Sequence, residues 1–588
     1  RFGALQVLHR LILNPVQFQS GVQTILNQIP ERQMHWVRWA LAISWLVLIA
    51  SLFYDPISSI LTDPQNLSSP FHINSETCIS VQGQCLPQVP YSLGPRMFWS
   101  AIVPAAIFII FVFGHETWRR ICPLSFFSQL PRALNLQRKQ RIVEAGVTRH
   151  ELVFVAENSW LGQNHLYVQF ALFFVGLTAR LLLVDSNPLA LGILLSATIL
   201  SAISVGFLYA GKSWCNYFCP FSPVQAVFTG PRGLFGSQSH HQSEADVSQS
   251  MCRTMDNQSA CVSCKSPCID VDAEKAYWEN LEQPGRRFVQ YGYVGILVAF
   301  FLSYYLYAGN WDYYFSGAWT RDDAVGNLFK PGFYLLGQAI MLPKAIAVPL
   351  TLALFTVLAY LGLSQVEKFY RGYLRQRDQS IDRRQSYHII FTLTTIFSFW
   401  FFFTFGGRPI LNSMPVMVGL GFNAIVILVG SIWGYRTLKR TEEQYQQESS
   451  VSSARIKLKK QLKKSSVELS KLEEIAPEAV DTLVDRLPDI MVQITQQERL
   501  NLYQDLVKHH LAKNISVGII DYSFDALKSN RDNMGLTDRD HENTIEQLRR
   551  ENPDLFQSEI TGLFVTSTKA KSGNKNRTDS TKTRRKKK

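Results

Sequence analysis

Apolar residues gather into eight long runs along this chain of 588 residues. Each run has about 20 residues, the length at which a helix spans a hydrocarbon core roughly 30 Å thick. The runs lie at 36–55, 97–114, 165–184, 188–210, 289–308, 345–363, 388–406 and 415–435. Buried helices of a large soluble protein are the alternative, but such helices rarely extend this far without charge. We therefore predict an all-α polytopic membrane protein with about eight transmembrane helices, anchored at the interfaces by Trp36, Trp99, Trp311 and Trp433.

Polar segments surround this transmembrane region, 36–435. We predict a cytoplasmic N-terminal segment at 1–35, a cytoplasmic loop at 211–288, a charged linker at 436–475, a helical cytoplasmic domain at 476–565 and a basic disordered tail at 566–588. In the helical domain, Gly535 is placed to end one helix, and Thr537 with Asp540 is placed to cap the next. Docking or regulation is its expected role, and a passive appendage is the alternative. No secretory signal is visible, but the chain opens at Arg1, so upstream residues stay possible.

Lys and Arg alternate between rich and poor connecting segments. Segments 115–164 and 211–288 carry seven each and 364–387 carries six, whereas 56–96, 185–187, 309–344 and 407–414 carry one, none, three and one. The positive-inside rule therefore places both termini and the rich segments in the cytoplasm. The net charge of +13 is mostly explained by the Lys and Arg residues of the cytoplasmic segments. We therefore expect membrane lipid and no nucleic acid as a partner. The tail TKTRRKKK either touches anionic headgroups or is a solvated end.

The nine cysteines divide according to compartment. Cys78 and Cys85 fall in the first external segment, where an oxidising environment allows a disulfide. The other seven lie in cytoplasmic segments, where clustered thiols usually serve metal or redox chemistry. These seven are Cys122, Cys215, Cys219, Cys252, Cys261, Cys264 and Cys268.

The spacing of the seven cytoplasmic cysteines narrows the choice of metal that they could bind. Residues 261–268 read CVSCKSPC, with Cys252 nine positions upstream. Bacterial ferredoxins use Cys-x2-Cys-x2-Cys-x3-Cys-Pro, so the match is partial, because the first gap is longer and Ile269 replaces the proline. A structural zinc site with four thiolates is the alternative.

Two further stretches share a Cys-Pro pair. They read WCNYFCPF at 214–221, after the fourth run, and TWRRICPLSFF at 117–127, after the second. With these motifs the chain resembles the membrane polyferredoxin family, which includes the NapH, NosR and CcoG-type proteins. The resemblance covers roughly residues 95–310. It implies [4Fe-4S] clusters held by cysteines at the cytoplasmic ends of membrane helices, and a ferredoxin-like iron-sulfur loop.

The ligand count falls one short of two clusters. Two clusters need eight thiolates and the sequence supplies seven, because aligning the Cys-Pro pairs puts Trp118 opposite Cys215. Ferredoxin logic gives Cys252, Cys261 and Cys264 a fourth ligand from a Cys-Pro motif and sends Cys268 to a second site. Three outcomes remain open: one complete cluster with spare thiols, a second cluster with a noncysteine ligand, or one [4Fe-4S] with one [3Fe-4S].

Other residues are candidates for supporting roles. Arg119 and Arg120 would oppose the negative charge of a cluster, and Trp118 and Trp214 would keep water away from it, unless these aromatics are ordinary interface anchors. Arg180 lies inside the third run, either near a quinone headgroup or snorkelling outward towards Asp185.

Some cofactors are not expected. His115, His165 and His388 sit at cytoplasmic ends of runs, so no haem is expected. Without a Gly-rich dinucleotide fingerprint, a flavin or nicotinamide would have to lie on a partner.

Two functions are compatible with these patterns. The first is a membrane-bound iron-sulfur electron-transfer protein that exchanges electrons with a quinone or a redox partner protein, as an oxidoreductase component resembling a quinol dehydrogenase would. The expected location is a bacterial-type inner membrane, plasma or thylakoid. The alternatives are an iron-sulfur redox sensor that signals through the C-terminal helical domain, and a structural zinc site in a membrane scaffold.

Overall fold

A computed structural model places most of the chain. It describes residues 29–73, 78–86, 89–144, 147–236, 252, 261–323, 325–376, 383–446 and 448–449, and, towards the C-terminus, 496–497, 500–501, 503–505, 507–508, 531 and 536–551. The chain forms two compact units, Arg1–Gln446 and Gln447–Lys588.

Eight helices of the first unit are long and apolar enough to cross a membrane. They are Glu31–Phe53, Leu93–Phe127, Trp160–Val184, Pro188–Leu208, Pro284–Ala308, Lys344–Gln376, Arg383–Leu411 and Val416–Lys439. Each contains most of one predicted apolar run, and we number them as the first to the eighth span. Several are longer than the predicted runs, because charged residues continue the helix beyond the apolar core, as from 364 to Gln376 in the sixth span. The protein is a multi-pass membrane protein.

The fifth span is the centre of the bundle. Its most apolar stretch is 72% buried, against 22% for the first span and 17% for the eighth, so the outer helices present most of their surface to lipid. Close approach to the sixth span depends on Gly295, because a Cβ there would lie 2.1 Å from the carbonyl oxygen of Phe355. Phe111 and Phe399 stack nearby with ring centroids 3.8 Å apart.

The second span breaks near the end that carries Cys122. Gly114 has φ 78° and ψ −173°, a conformation that glycine adopts without a side-chain penalty. The carbonyls of Phe111 and Val112 accept hydrogen bonds from Leu234 N–H at 3.0 Å and from Phe235 N–H at 2.6 Å. The break starts a separate turn, which carries Trp118 and Arg119 to Cys122.

Short elements join the spans. The helical ones are Ser58–Leu61, Leu130–Ala133, the π-helical turn Trp214–Phe218, Ser222–Thr229, Ala273–Asn280, Asp312–Phe315 and the 3-10 turn Ala318–Thr320. Three antiparallel β-hairpins, which the all-α prediction missed, pair Ser80–Val81 with Gln84–Cys85, Lys139–Glu144 with Val147–Leu152, and Pro331–Leu335 with Gln338–Pro343.

The two ends of the bundle differ in chemistry. The second and fourth spans end, and the fifth begins, at what we call the cysteine end, which carries the described thiols. The other end, called here the opposite end, holds the first hairpin. There Cys78 and Cys85 form a disulfide, the pairing that the sequence indicates.

The second unit is described in part. Its clearest element is the helix Asp538–Glu551. Thr537 N–H donates to the Asp540 carboxylate at 2.9 Å, and Asp540 N–H donates to the Thr537 hydroxyl at 3.2 Å, which confirms the predicted cap. Most of the predicted linker and helical domain, Gly535, and all of the N-terminal segment before residue 29 and of the tail lie outside the described residues.

Candidate metal centre

The two Cys-Pro pairs have the same backbone shape. Cys122 has φ −60° and ψ 122°, and Cys219 has φ −59° and ψ 119°. The next backbone N–H groups turn back towards each sulfur, from Leu124 and Ser125 to Cys122 and from Phe221 to Cys219. Each cysteine therefore lies at a chain reversal where N–H donors face the sulfur, which favours a thiolate bound to metal.

The hydrogen bonds of the two turns indicate a different alignment from the one that places Trp118 opposite Cys215. Cys122 N–H donates to the carbonyl of Trp118 at 2.8 Å, and Cys219 N–H donates to the carbonyl of Trp214, also at 2.8 Å. Trp118 is thus the counterpart of Trp214, not of Cys215. The second turn is π-helical and holds one residue more between its tryptophan and its cysteine.

Three thiols form a first group, consisting of Cys122, Cys215 and Cys219. The charges of Cys215 and Cys122 act on Cys219, and that of Cys215 acts on Cys122, so the three sulfurs are electrostatic neighbours. Burial, followed by these two neighbouring charges, raises the pKa of Cys219 above its usual value. Metal binding at this group would therefore have to displace a thiol proton.

Aromatic side chains enclose the first thiol group. Trp214, Phe218 and Phe221 pack with Cys215 and Cys219 in one cluster. Trp118 packs against Phe221 with ring centroids 5.7 Å apart. The buried indole N–H groups of Trp118 and Trp214 have no acceptor among the described residues, so both are available as donors.

A second group contains three thiols further along the same loop, Cys252, Cys264 and Cys268. The charge of Cys252 acts on Cys264, and that of Cys264 acts on Cys268. Burial raises the pKa of Cys264, and burial together with Asp270 raises the pKa of Cys268 to about 12. Of the seven free cysteines, Cys261 is the exposed one.

A buried ion network lies between the two groups. Arg119 Nε is 3.2 Å from Asp270 Oδ1, and Lys212 Nζ is 3.5 Å from Asp270 Oδ2. Arg119 Nη2 also donates to Asn216 Oδ1 at 2.8 Å, and Asn216 Nδ2 lies 3.6 Å from Cys264 Sγ. Burial alone would raise the pKa of Asp270, but Arg119 and Lys212 hold it below its usual value.

Arg119 faces thiols on both sides. The charges of Cys215, Cys268 and Cys264 all act on its guanidinium, after Asp270 the largest favourable contributions. A fixed cation that interacts electrostatically with both thiol groups would oppose the negative charge of metal-bound thiolates in either. The prediction that placed Arg119 near the cysteines thus agrees with its position.

Arg120 faces away from the thiols. It donates to the Ile29 carbonyl at 2.7 Å and to Glu31 at 3.2 Å, and so ties the second span to the start of the first. The structure does not bring it to the cysteines with Arg119.

A lysine in the Cys-x3-Cys segment contacts the third span. Lys265 Nζ is 2.9 Å from His165 Nε2 and 5.2 Å from the centre of the Tyr217 ring. His165 Nδ1 lies 2.7 Å from the Gly162 carbonyl, which assigns the proton to Nδ1 and leaves Nε2 to accept from Lys265. Burial, reinforced by Arg119, lowers the pKa of Lys265 to about 8.

Several of these residues were missed by sequence reasoning. Asp270, Lys212, Asn216, Lys265 and His165 position the cysteines, yet none was predicted to belong to the site. Their only common signal was proximity, because four of them lie within three residues of a cysteine in the sequence.

Arg180 lies at the opposite end and is enclosed. Its Nε is 3.0 Å from Asp185 Oδ1, and its guanidinium lies 3.9 Å from the Trp99 ring centre and 4.5 Å from that of Phe300. It is 7% exposed and pairs with Asp185, the residue towards which the alternative to a quinone contact directs it. Fifteen residues of helix separate it from His165, about 22 Å at 1.5 Å per residue.

The described thiols are neighbours without converging on a point. Within the described ranges, no three His, Cys, Asp or Glu side chains are gathered tightly enough to hold one metal ion. Cys252 is described without the residues on either side of it, and residues 253–260 between it and Cys261 are outside the described chain.

No protein-family model, no curated protein and no solved structure matches the chain. The resemblance to membrane polyferredoxins therefore rests on its own motifs and on the positions of the cysteines.

Removing the charge of Asp270 tests the ion network. Asp270→Asn leaves Arg119 and Lys212 buried without their carboxylate, and we expect the free energy of unfolding to fall by about 3–5 kcal/mol. Thermal unfolding of the purified protein in detergent measures the change. Glu279→Gln is the matched control, because it removes a carboxylate from an exposed pair with Lys275, where about 0–1 kcal/mol is expected. Equal effects of the two variants would contradict a structural role for Asp270.

Proposed function

We propose that this protein is a membrane-bound iron-sulfur electron-transfer protein with its clusters at the cysteine end of the bundle. The observation that carries the proposal is that six of the seven free thiols interact electrostatically in two groups, and that five of the six also interact with buried Arg119. A [4Fe-4S] cluster, when bound, supplies one-electron exchange.

The grouping favours a division of ligands between two sites. Cys252, Cys261, Cys264 and Cys268 would hold a complete [4Fe-4S] cluster, and Cys122, Cys215 and Cys219 would hold a second cluster with three thiolates. In this division Cys268 stays with its own run, whereas ferredoxin logic sends it to the other site. A structural zinc ion, whose thiolates all lie about 2.3 Å from one ion, is the alternative that metal analysis distinguishes.

The chain's own residues would tune both sites. Arg119 and Lys212 offset thiolate charge, and the N–H groups directed at Cys122, Cys219 and Cys264 withdraw charge from sulfur, so both effects raise the reduction potential. The aromatic wall around the first group excludes water. A less negative potential suits exchange with a quinol or a soluble carrier.

The electron partner is proposed to meet the cysteine end. We do not propose Arg180 as a quinone contact, because its guanidinium is already engaged by Asp185 and by two aromatic rings, and it lies about 22 Å along the third span from His165. Exposed Cys261 offers an approach from solvent. We propose that this end is cytoplasmic, in a bacterial-type plasma or thylakoid membrane, as the distribution of Lys and Arg predicts.

The first experiment counts iron and sulfide in anaerobically purified protein. We expect about seven to eight iron atoms per chain if both sites are filled, with broad visible absorption that dithionite bleaches. Cys264→Ser should remove iron from the four-cysteine site, while Cys78→Ser, which opens the disulfide at the opposite end, should leave iron unchanged. A colourless protein that carries zinc, or equal iron loss in the two variants, would overturn the proposal.

The alignment of the two turns predicts the result of a cysteine introduced at Trp118. Because Trp118 corresponds to Trp214 and not to Cys215, Trp118→Cys should supply no additional ligand, and the iron content should match that of Trp118→Phe. Iron analysis of the two variants side by side measures this. A gain of iron in the cysteine variant alone would mean that Trp118 does occupy the place of a lost ligand.

A redox or iron sensor is the second candidate function, because the four-cysteine segment is bonded to the chain that leads into the second unit. Asp270 and Asp272 follow Cys268, and the N–H groups of Val271 and Asp272 donate to its carbonyl at 3.2 and 3.0 Å. Asp272 then caps the helix Ala273–Asn280 through Lys275 N–H. Any movement of Cys268 is passed directly to this helix.

The helix Ala273–Asn280 holds the segment 437–446. Glu274 pairs with Arg440 at 2.7 Å, and Asp272 accepts a hydrogen bond from Tyr445 at 2.8 Å. Arg384 bridges the Trp278 carbonyl and Glu442, the latter at 2.9 Å. The end of the eighth span is thereby fixed to the loop that carries the thiols.

Hydrogen exchange distinguishes a sensor from a passive anchor. If cluster loss loosens the helix, amide exchange across 440–446 should accelerate at least about tenfold when iron is removed by chelation, while the fifth span is unchanged. Tyr445→Phe should reproduce part of the acceleration without loss of iron. Identical exchange with and without iron would eliminate the sensor.

A further inference from the structure

The hairpin Lys139–Leu152 projects from the cysteine end and has two faces of different charge. Opposite residues of an antiparallel pair share a face, and alternate residues point the same way. The register pairs Lys139 with Leu152, Arg141 with His150 and Val143 with Thr148, so these six side chains share one face. Arg141 Nη2 lies 3.4 Å from Thr148 Oγ1, in agreement with this register.

Basic residues are segregated on that face. Lys139, Arg141 and His150 are exposed, and the face carries no acidic residue. On the other face Arg149 lies directly opposite Ile142, and Glu151, which lies opposite Gln140, follows two residues later on the same strand. One face is therefore uniformly positive, and the other carries both signs.

The base of the hairpin adjoins the four-cysteine segment. Arg138 N–H donates to the Phe207 carbonyl at 2.8 Å, and Ala210 N–H donates to the Val153 carbonyl at 2.8 Å. The next residue, Gly211, has φ 72°, and a Cβ built on it would lie 2.4 Å from Cβ of Cys264. Only a glycine allows this contact, which brings the hairpin root beside Cys264.

We propose that the basic face, defined by Lys139, Arg141 and His150, is the docking surface for a soluble redox protein with an acidic surface. This rests on the proposed function, since the partner would exchange electrons through the site that exposed Cys261 borders. Redox complexes are typically small and transient, and charge complementarity raises their association rate. Six strand residues reach about 20 Å, enough to engage a carrier beside the site.

Anionic lipid headgroups are the competing ligand for a basic hairpin. The root of the hairpin lies beside Cys264, and the basic face has few apolar side chains, with Val143 exposed and Leu152 partly buried. A surface that inserts into a bilayer needs a larger apolar area than this. The charge pattern therefore favours the acidic protein, and lipid binding is an outcome that the experiment resolves.

Arg141→Glu and Arg149→Glu form a matched pair that tests the proposal. Both replace an exposed arginine in the same hairpin by glutamate, but on opposite faces. The probe is an acidic plant-type [2Fe-2S] ferredoxin, added to the full chain in nanodiscs of zwitterionic lipid at low ionic strength. We expect Arg141→Glu to weaken binding at least about tenfold and to flatten its salt dependence, and Arg149→Glu to weaken it less than about threefold.

Further arms separate the possible causes. Arg141→Gln should give an intermediate loss of ferredoxin binding. Ferredoxin with amidated carboxylates should bind the unsubstituted chain no more tightly than unmodified ferredoxin binds Arg141→Glu. Equal weakening by both glutamate variants, or none, would overturn the proposal. Binding of phosphatidylglycerol vesicles that is lost in Arg141→Glu, without ferredoxin binding, would overturn it in favour of lipid.

Binding and iron content are measured on the same preparations. A chain without iron that still binds ferredoxin through Arg141 would sink the electron-transfer function and leave the docking surface. A chain with iron that binds ferredoxin independently of Arg141 would overturn the docking surface and leave the electron-transfer function.

Discussion

The ion pair between Arg119 and Asp270 connects the end of the second span to the loop after the fourth span, and the rest of the cysteine end depends on this connection. Arg119 belongs to the turn that follows the break in the second span, and Asp270 follows Cys268 in the loop after the fourth span. Neither charge could remain buried alone, since an unpaired buried ion costs several kcal/mol. The pair therefore fixes the loop against the helix end, and Asn216, bonded to Arg119, extends the contact to Cys264. Both thiol groups are held by one electrostatic contact.

The membrane fold follows closely from the sequence, because lipid permits few alternatives. A helix satisfies all of its own backbone hydrogen bonds, so an apolar run of about 20 residues in a bilayer has essentially one structure. The hairpin Lys139–Leu152 was missed for the opposite reason. It is exposed on both faces and polar on most positions, so it lacks the alternation of apolar and polar residues that marks a half-buried strand. The break at Gly114 lay inside an apolar run and left no compositional sign.

The sequence indicates which cysteines are candidate ligands, but it does not indicate which other residues hold them in place. Cysteine spacing is informative because few roles other than metal or redox chemistry call for seven reduced thiols. Arg119 and Arg120 were indistinguishable in sequence, yet adjacent helical residues point about 100° apart, and one faces Asp270 while the other faces Glu31. Asp270 and Asn216 act through contacts across 151 and 97 positions of sequence, which no local pattern encodes.

The extra residue in the second turn changes the meaning of an odd number of thiols. If Trp118 had replaced a cysteine, the first group would be a damaged four-ligand site. The matching hydrogen bonds indicate instead that each turn is closed by a bond from its cysteine N–H to its tryptophan carbonyl. The second turn is one residue longer, and its π-helical bulge accommodates Cys215. Such bulges recur at functional sites because they place a side chain where a regular helix cannot. The proposed three-thiolate site would then be an original feature of this chain and not the remnant of a four-ligand site.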